Sequence, residues 1–161
     1  MLKSMDKLNV KAIYAAPFFN ENTNSPKEGM EKSYDEIIKL LKLMNKSKLE
    51  NVVFKGSDMY LSDEKTPVIS EATQHLADLA ANYTPDNPLY VVEIAAITTV
   101  ASAVLINPEI AKNIVVVWLG GHSLEMGTKQ VIITLGSNGC VYNGNVNKSA
   151  VEIYPKFLKL L

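Results

Sequence analysis

Short apolar runs rich in β-branched residues recur along the chain, and polar stretches separate them. They predict four strands, at residues 10–15, 51–54, 89–94 and 114–118. The runs are mostly continuous rather than alternating, which is typical of strands that are covered on both faces of a sheet.

Between the strands, apolar side chains recur at intervals of three and four, which predicts three helices. The first begins at Ser25-Pro26, with Glu28 in the position of a capping-box acid. The second is predicted to open at residues 66–67, and the third to span Thr98–Ile106. The inner face of the second helix is expected to carry Ile69, Ala72, Leu76, Leu79 and Ala80.

The order of these elements predicts an α/β fold. Strands that alternate with helices form crossover connections, and these place neighbouring strands parallel. We therefore expect a three-layer domain with a mainly parallel sheet. Ligands of such sheets bind outside the carboxyl ends of the strands. The candidate binding loops are those that follow residues 15, 54, 94 and 118.

The pattern changes from Gly120 onward, where six of the eight glycines lie. Glycine turns between short apolar runs indicate hairpins. We expect a β-rich C-terminal segment with strands at residues 131–135, 140–142 and 146–153 and turns at residues 136–139 and 143–145.

Charge and cysteine content narrow the function classes. The chain has 16 cationic and 17 anionic side chains, and every cation is a lysine. A protein with no arginine and no positive excess is a poor nucleic-acid binder. Cys140 is the only cysteine, so no intrachain disulfide can form. Because no apolar run is long enough to span a membrane and no signal-peptide pattern is present, we expect a cytoplasmic protein with no membrane partner.

Three of the candidate loops carry side chains suited to a ligand. Phe19 and Asn20 offer a ring face and an amide, although the loop is equally compatible with an ordinary connection. Thr98 is either a helix N-cap or an oxygen ligand of a metal or sugar. His122, after a glycine pair, is either structural or part of the site. His75 has no partner in the pattern and receives no role.

Several blocks of sequence occur together in the order V-K-A-I-Y-A-A-P-F-F-N, V-V-F-K-G-S-D, P-L-Y-V-V-E-I-A-A-I-T-T-V-A-S-A and N-I-V-V-V-W-L-G-G-H. Over about residues 8–122 the chain resembles the inosine–uridine preferring nucleoside hydrolases. The resemblance implies an open α/β fold and hydrolysis of the N-glycosidic bond that joins base and ribose in a ribonucleoside. It also implies a calcium ion that activates water and holds the ribose hydroxyls.

By position, the resemblance implies substrate binding by Phe19, Asn20 and His122, and a calcium ligand in the main-chain carbonyl of Thr98. The family's aspartate-rich motif, D-T-D-x-x-x-D-D, does not occur in this sequence. We therefore expect residues 1–122 to form a partial, truncated nucleoside-hydrolase-like domain that holds calcium weakly and is weakly active or inactive.

The following stretch, S-L-E-M-G-T-K-Q-V-I-I-T-L-G-S-N-G-C-V-Y-N-G, resembles the C-terminal part of ribokinase-like sugar kinases. This resemblance implies nucleotide-binding positions at Thr134, Gly136 and Gly139. Residues 123–161 are expected to pack as a ribokinase-like segment of the same domain.

Three functions therefore stay open from the sequence. The first is a nucleoside-hydrolase-like protein whose partner is a small-molecule nucleoside or ribose. The second is a sugar kinase fragment that binds a nucleotide. The third is a non-catalytic domain that a partner completes, for example a homo-oligomer formed through an exposed sheet edge.

Overall fold

A computed structural model describes residues 8–120, 131–136 and 139–143. Helices and strands alternate over most of this length. The helices in these described ranges are α1 (Pro26–Leu43), α2 (Glu71–Ala80) and α3 (Thr98–Ile106). The strands that the structure describes are β1 (Ile13–Ala15), β2 (Val53–Lys55), β3 (Leu89–Glu93), β4 (Ile114–Gly120), β5 (Val131–Gly136) and β6 (Gly139–Asn143). Short 3-10 helices cover Ser47–Val52 and Pro108–Lys112. The strand predicted at residues 146–153 lies outside the described residues.

The strands form two sheets that each contain one parallel pair. β1 pairs with β2 in parallel, with Ile13 opposite Val53, and β3 pairs with β4 in parallel, with Leu89 opposite Ile114. β5 and β6 extend the second sheet by antiparallel pairing, which gives the order β3-β4-β5-β6. The predicted α/β class is confirmed. Instead of one mainly parallel sheet, the described residues form a parallel pair and a separate mixed sheet.

Helices α1 and α2 lie on opposite faces of the β1–β2 pair. Successive strand residues point to opposite faces, and the two neighbours Phe54 and Lys55 show where each helix lies. The Phe54 ring stacks on His75 of α2, with centroids 4.0 Å apart. The Lys55 ammonium lies over the Tyr34 ring of α1, 5.5 Å from its centroid.

The main core lies where α2 and α3 pack on one face of the β3–β4 pair. Tyr14 of β1 packs against the same cluster, so this face is continuous with the α2 face of the first sheet. The buried members are Leu76, Ala77, Ala80, Leu89, Val100, Ala103, Val104, Ile110, Ile114, Val116 and Trp118. None of the helices in the described part of the chain is long and apolar enough to span a bilayer.

The start of α1 confirms the predicted capping signal. Ser25 is the N-cap, and its Oγ accepts a hydrogen bond from the Glu28 N–H at 3.2 Å. The Glu28 carboxylate in turn accepts from the Asn24 N–H at 2.8 Å and pairs with Lys32. The hydrogen bond from Lys32, followed by those from Asn24, favours the carboxylate and lowers the pKa of Glu28 to about 2. The first N–H groups of a helix have no carbonyl partner within the helix. Here the side chains of Ser25 and Glu28 accept hydrogen bonds from backbone N–H groups at the start of α1.

Replacing Ser25 with alanine is expected to lower the free energy of unfolding by about 1 kcal/mol, because the N–H of Glu28 loses its acceptor. Urea unfolding followed by circular dichroism measures this change. Ser47→Ala is the matched control, since Ser47 begins a 3-10 helix that has no side-chain cap. An equal effect of both substitutions would contradict the capping role.

The prediction that α2 opens at residues 66–67 was wrong. The helix begins at Glu71, after the N-cap Ser70, whose Oγ accepts from the Thr73 N–H at 3.1 Å. The preceding segment is held by tertiary contacts instead, because the Val68 N–H donates to Ser102 Oγ of α3 at 3.0 Å. As a result Ile69, expected on the inner face, is 66% exposed.

Candidate functional site

The chain segments that follow β1, β2 and β3 meet at one end of the sheets. Gly56, just after β2, packs so closely on the end of β1 that a Cβ there would strike the Ala15 carbonyl oxygen. The same Cβ would lie 3.2 Å from Thr99 Oγ1 at the start of α3. Ser57 Oγ lies 3.5 Å from this hydroxyl, and both side chains are buried. Parallel pairing thus brings three of the predicted loops together.

The loop after β1 presents Phe19 and Asn20 to solvent. Phe19 is 59% exposed. The Asn20 N–H donates to the buried Thr23 Oγ1 at 3.1 Å, and Asn20 Oδ1 accepts from the Asn22 N–H at 2.9 Å. Within the described residues the Asn20 Nδ2 makes no hydrogen bond. The loop is therefore internally braced, with one ring face and one amide donor turned outward.

The turn from β3 to α3 is held from two sides at Ala95. The Glu93 carboxylate accepts from the Ala95 N–H at 3.0 Å, and Trp118 Nε1–H donates to the Ala95 carbonyl at 2.9 Å. Glu93 and Trp118 are register partners on β3 and β4. Burial outweighs the hydrogen bonds and raises the pKa of Glu93 to about 7.

Glu93 is a carboxyl group that sequence reasoning missed. It ends an otherwise apolar strand run, and a lone acid at the carboxyl end of a buried strand was the available signal. Its pKa near neutrality allows the group to hold or release a proton under ordinary conditions.

Thr98 is the first residue of α3 and is 5% exposed. The N-cap position belongs to Ile97, so the interpretation of Thr98 as the cap was wrong. Within the described residues, no group of three or more histidine, cysteine, aspartate or glutamate side chains could hold a metal ion. Calcium requires about six to eight oxygen ligands. The side chains of the described residues therefore do not fit a calcium centre.

His75, which received no role from the sequence, has a partner in Tyr14. The Tyr14 hydroxyl and His75 Nδ1 lie 2.8 Å apart, and the two rings meet edge to face. Burial raises the pKa of the Tyr14 hydroxyl above its usual range. Because this pair joins β1 to α2 within the packed layers, we interpret it as structural.

Two of the predicted nucleotide-binding positions, Gly136 and Gly139, lie toward the amino end of β4, which is the end opposite the three loops, and the third, Thr134, lies opposite Val117 in the middle of β4. β5 runs antiparallel to β4, with Val131 opposite Gly120 and Leu135 opposite Val116. Gly136 pairs with Gly139 at the end of the hairpin, near the amino end of β4, and Thr134 lies two positions earlier on β5. Strand direction therefore places Gly136 and Gly139 away from the end at which the loops after β1, β2 and β3 meet. His122 lies outside the described residues.

Comparison of the chain with family models, curated proteins and solved structures found no match.

Proposed function

We propose that this protein binds a ribonucleoside, or its ribose, at the loops after β1, β2 and β3, and that its fold is a three-layer, nucleoside-hydrolase-like α/β architecture. The observation that carries the proposal is the meeting of these loops at Gly56, which packs on Ala15 and faces Thr99. Ligands of α/β sheets bind at this end of the strands. The family resemblance of about residues 8–122 supports a nucleoside as the ligand.

The loop after β1 supplies groups that match an uncharged nucleoside. The exposed Phe19 ring offers a flat apolar surface for a base. The outward Asn20 Nδ2 offers a donor for a ribose hydroxyl, and its Oδ1 stays engaged with the Asn22 N–H. No charge has to be neutralised in such a complex, which suits a chain whose only cations are lysines.

The same proposal includes weak or absent hydrolysis of the N-glycosidic bond. Efficient cleavage needs an activated water and stabilisation of a sugar cation. The described part of the chain gathers no cluster of acidic side chains at this edge. Glu93, at the end of β3, has a pKa of about 7 and can hold a proton near neutral pH. Calcium-dependent turnover by the purified chain that a chelator abolishes would contradict this part of the proposal.

Binding is tested by adding inosine, uridine or ribose at millimolar concentration and following line broadening of ligand NMR signals. Phe19→Ala and Asn20→Ala are each expected to weaken binding about tenfold, because the first removes a stacking surface and the second removes a hydrogen-bond donor. Leu43→Ala is the matched control, because Leu43 is 71% exposed on the last turn of α1. Absence of binding for all three ligands would overturn the proposal.

A second candidate is nucleotide binding by the ribokinase-like segment. The pairing of Gly136 with Gly139 where β5 and β6 meet favours it, because glycines let backbone N–H groups approach a phosphate closely. This candidate predicts that ATP at millimolar concentration raises the melting temperature. No change with ATP, combined with a shift by inosine, would leave the nucleoside proposal alone.

A further inference from the structure

One face of the β3–β4 pair is left open by the described residues. Its side chains Tyr90, Val92 and Ile94 are 68%, 58% and 63% exposed. Val115 and Val117 lie opposite Tyr90 and Val92 on β4 and continue the same face. We call these five residues the outer face. Large, contiguous apolar patches of this kind normally mark a surface that something covers.

Among the described helices, α1 covers the corresponding side of the first sheet only. Tyr14 of β1 and Val91 of β3 pack on the same core, so the α2 side is common to both sheets. The opposite side of the β1–β2 pair is covered by α1. Over the β3–β4 pair, no described helix lies on that opposite side. Parallel strands are normally covered on both faces, so the missing layer calls for an apolar occupant.

We propose that residues 144–161 of the same chain pack on the outer face. They follow β6 directly, and β6 belongs to the sheet that carries this face. Three strand spacings separate β6 from β3, a distance of about 14 Å. Even in a helical conformation, the segment would be about 27 Å long, enough to cross the sheet.

The composition of this segment fits an apolar surface better than the other candidate segments do. Half of its residues are apolar, and most of these lie near its end: Val151, Ile153, Tyr154, Phe157, Leu158, Leu160 and Leu161. Residues 121–130 carry only two large apolar side chains, Leu124 and Met126. Residues 1–7 carry three large apolar side chains, Met1, Leu2 and Met5, between charged or polar neighbours.

Tethering favours this segment over a second copy of the chain. A segment joined by a short linker competes at an effective concentration in the millimolar range, whereas a second molecule competes at its own, usually micromolar, concentration. If both contacts have the same intrinsic affinity, the intrachain complex is therefore about a thousandfold more populated than the complex with a second copy.

The first test measures whether the outer face is covered in the full chain. With Cys140→Ser as background, Val92→Cys and Ile94→Cys each place one thiol on this face. Both thiols are expected to react with a maleimide at least about tenfold more slowly than the thiol of Leu43→Cys, the exposed control on α1. Reaction of both as fast as the control would overturn the proposal.

The second test identifies the occupant. A photoreactive benzoylphenylalanine at position 90 is cross-linked in a mixture of light and 15N-labelled full-length chains, and the linked peptides are mapped by mass spectrometry. A link to residues 144–161 with matched isotopes supports the proposal. Links between light and heavy chains would instead show a second copy on this face. A link to any other segment, or no link together with fast thiol labelling, would also overturn it.

Discussion

Replacing Gly56 with alanine is expected to destabilise the protein by about 3 kcal/mol, as overpacking against backbone does. A Cβ at this position would strike the carbonyl oxygen of Ala15 and crowd Thr99 Oγ1. The obstacle is the backbone of a fully buried strand residue rather than the end of a flexible side chain. The ends of β1 and β2 would have to separate to make room.

Urea unfolding followed by the fluorescence of Trp118, the only tryptophan, measures this loss. Ser57→Ala is the neighbouring control, because it removes an atom instead of adding one. It is expected to cost about 1 kcal/mol by breaking the long contact with Thr99. A Gly56→Ala protein within about 0.5 kcal/mol of the parent would show that the strand ends do not meet as described.

The second large effect is a pH dependence of stability that comes from Glu93. Its pKa is about 7 in the folded protein and near 4.5 in a solvated chain, so the folded state binds the proton more tightly. Stability from this group is fully present below pH 4.5 and is lost as pH rises through 7. The loss amounts to at most about 3 kcal/mol, from 1.36 kcal/mol per pKa unit.

Glu93→Gln removes this titration and keeps an oxygen that can accept from the Ala95 N–H. The variant is expected to match the parent near pH 4 and to exceed its stability by up to about 3 kcal/mol at pH 8. Glu36→Gln is the control, since Glu36 is an exposed carboxylate paired with Lys39 on α1. Parallel stability curves for parent and Glu93→Gln between pH 4 and 8 would contradict the burial of this carboxyl.

Elements with strong local signals were predictable. The capping box at Ser25 and Glu28 satisfies donors within one turn, so neighbouring residues alone determine where α1 begins. The bounds Thr98–Ile106 of α3 followed from a short apolar stretch that ends before Asn107-Pro108. The start of α2 was predicted too early: Thr66-Pro67 and Ser70 are both local start signals, the helix uses Ser70 as its cap, and the Val68 N–H donates to Ser102 of α3 instead.

The candidate site was predictable only as a set of loops. Alternation of strands and helices implied parallel pairing, and parallel pairing places the loops after β1, β2 and β3 at one end. The contact of Gly56 with Ala15 and the clamp of Glu93 and Trp118 on Ala95 depend on how the sheets are placed. No spacing within the chain encodes these distances.

By itself, the sequence determined the alternation of elements, the helix cap at Ser25 and the lack of any cation other than lysine, because these depend on residue type and short-range spacing. Tertiary structure decided that the strands divide into two sheets, that β5 turns the Gly136–Gly139 hairpin away from the candidate site, and that Glu93 holds its proton near neutral pH. Strand order and burial arise from contacts between residues far apart along the chain, and they set the solvation of each group.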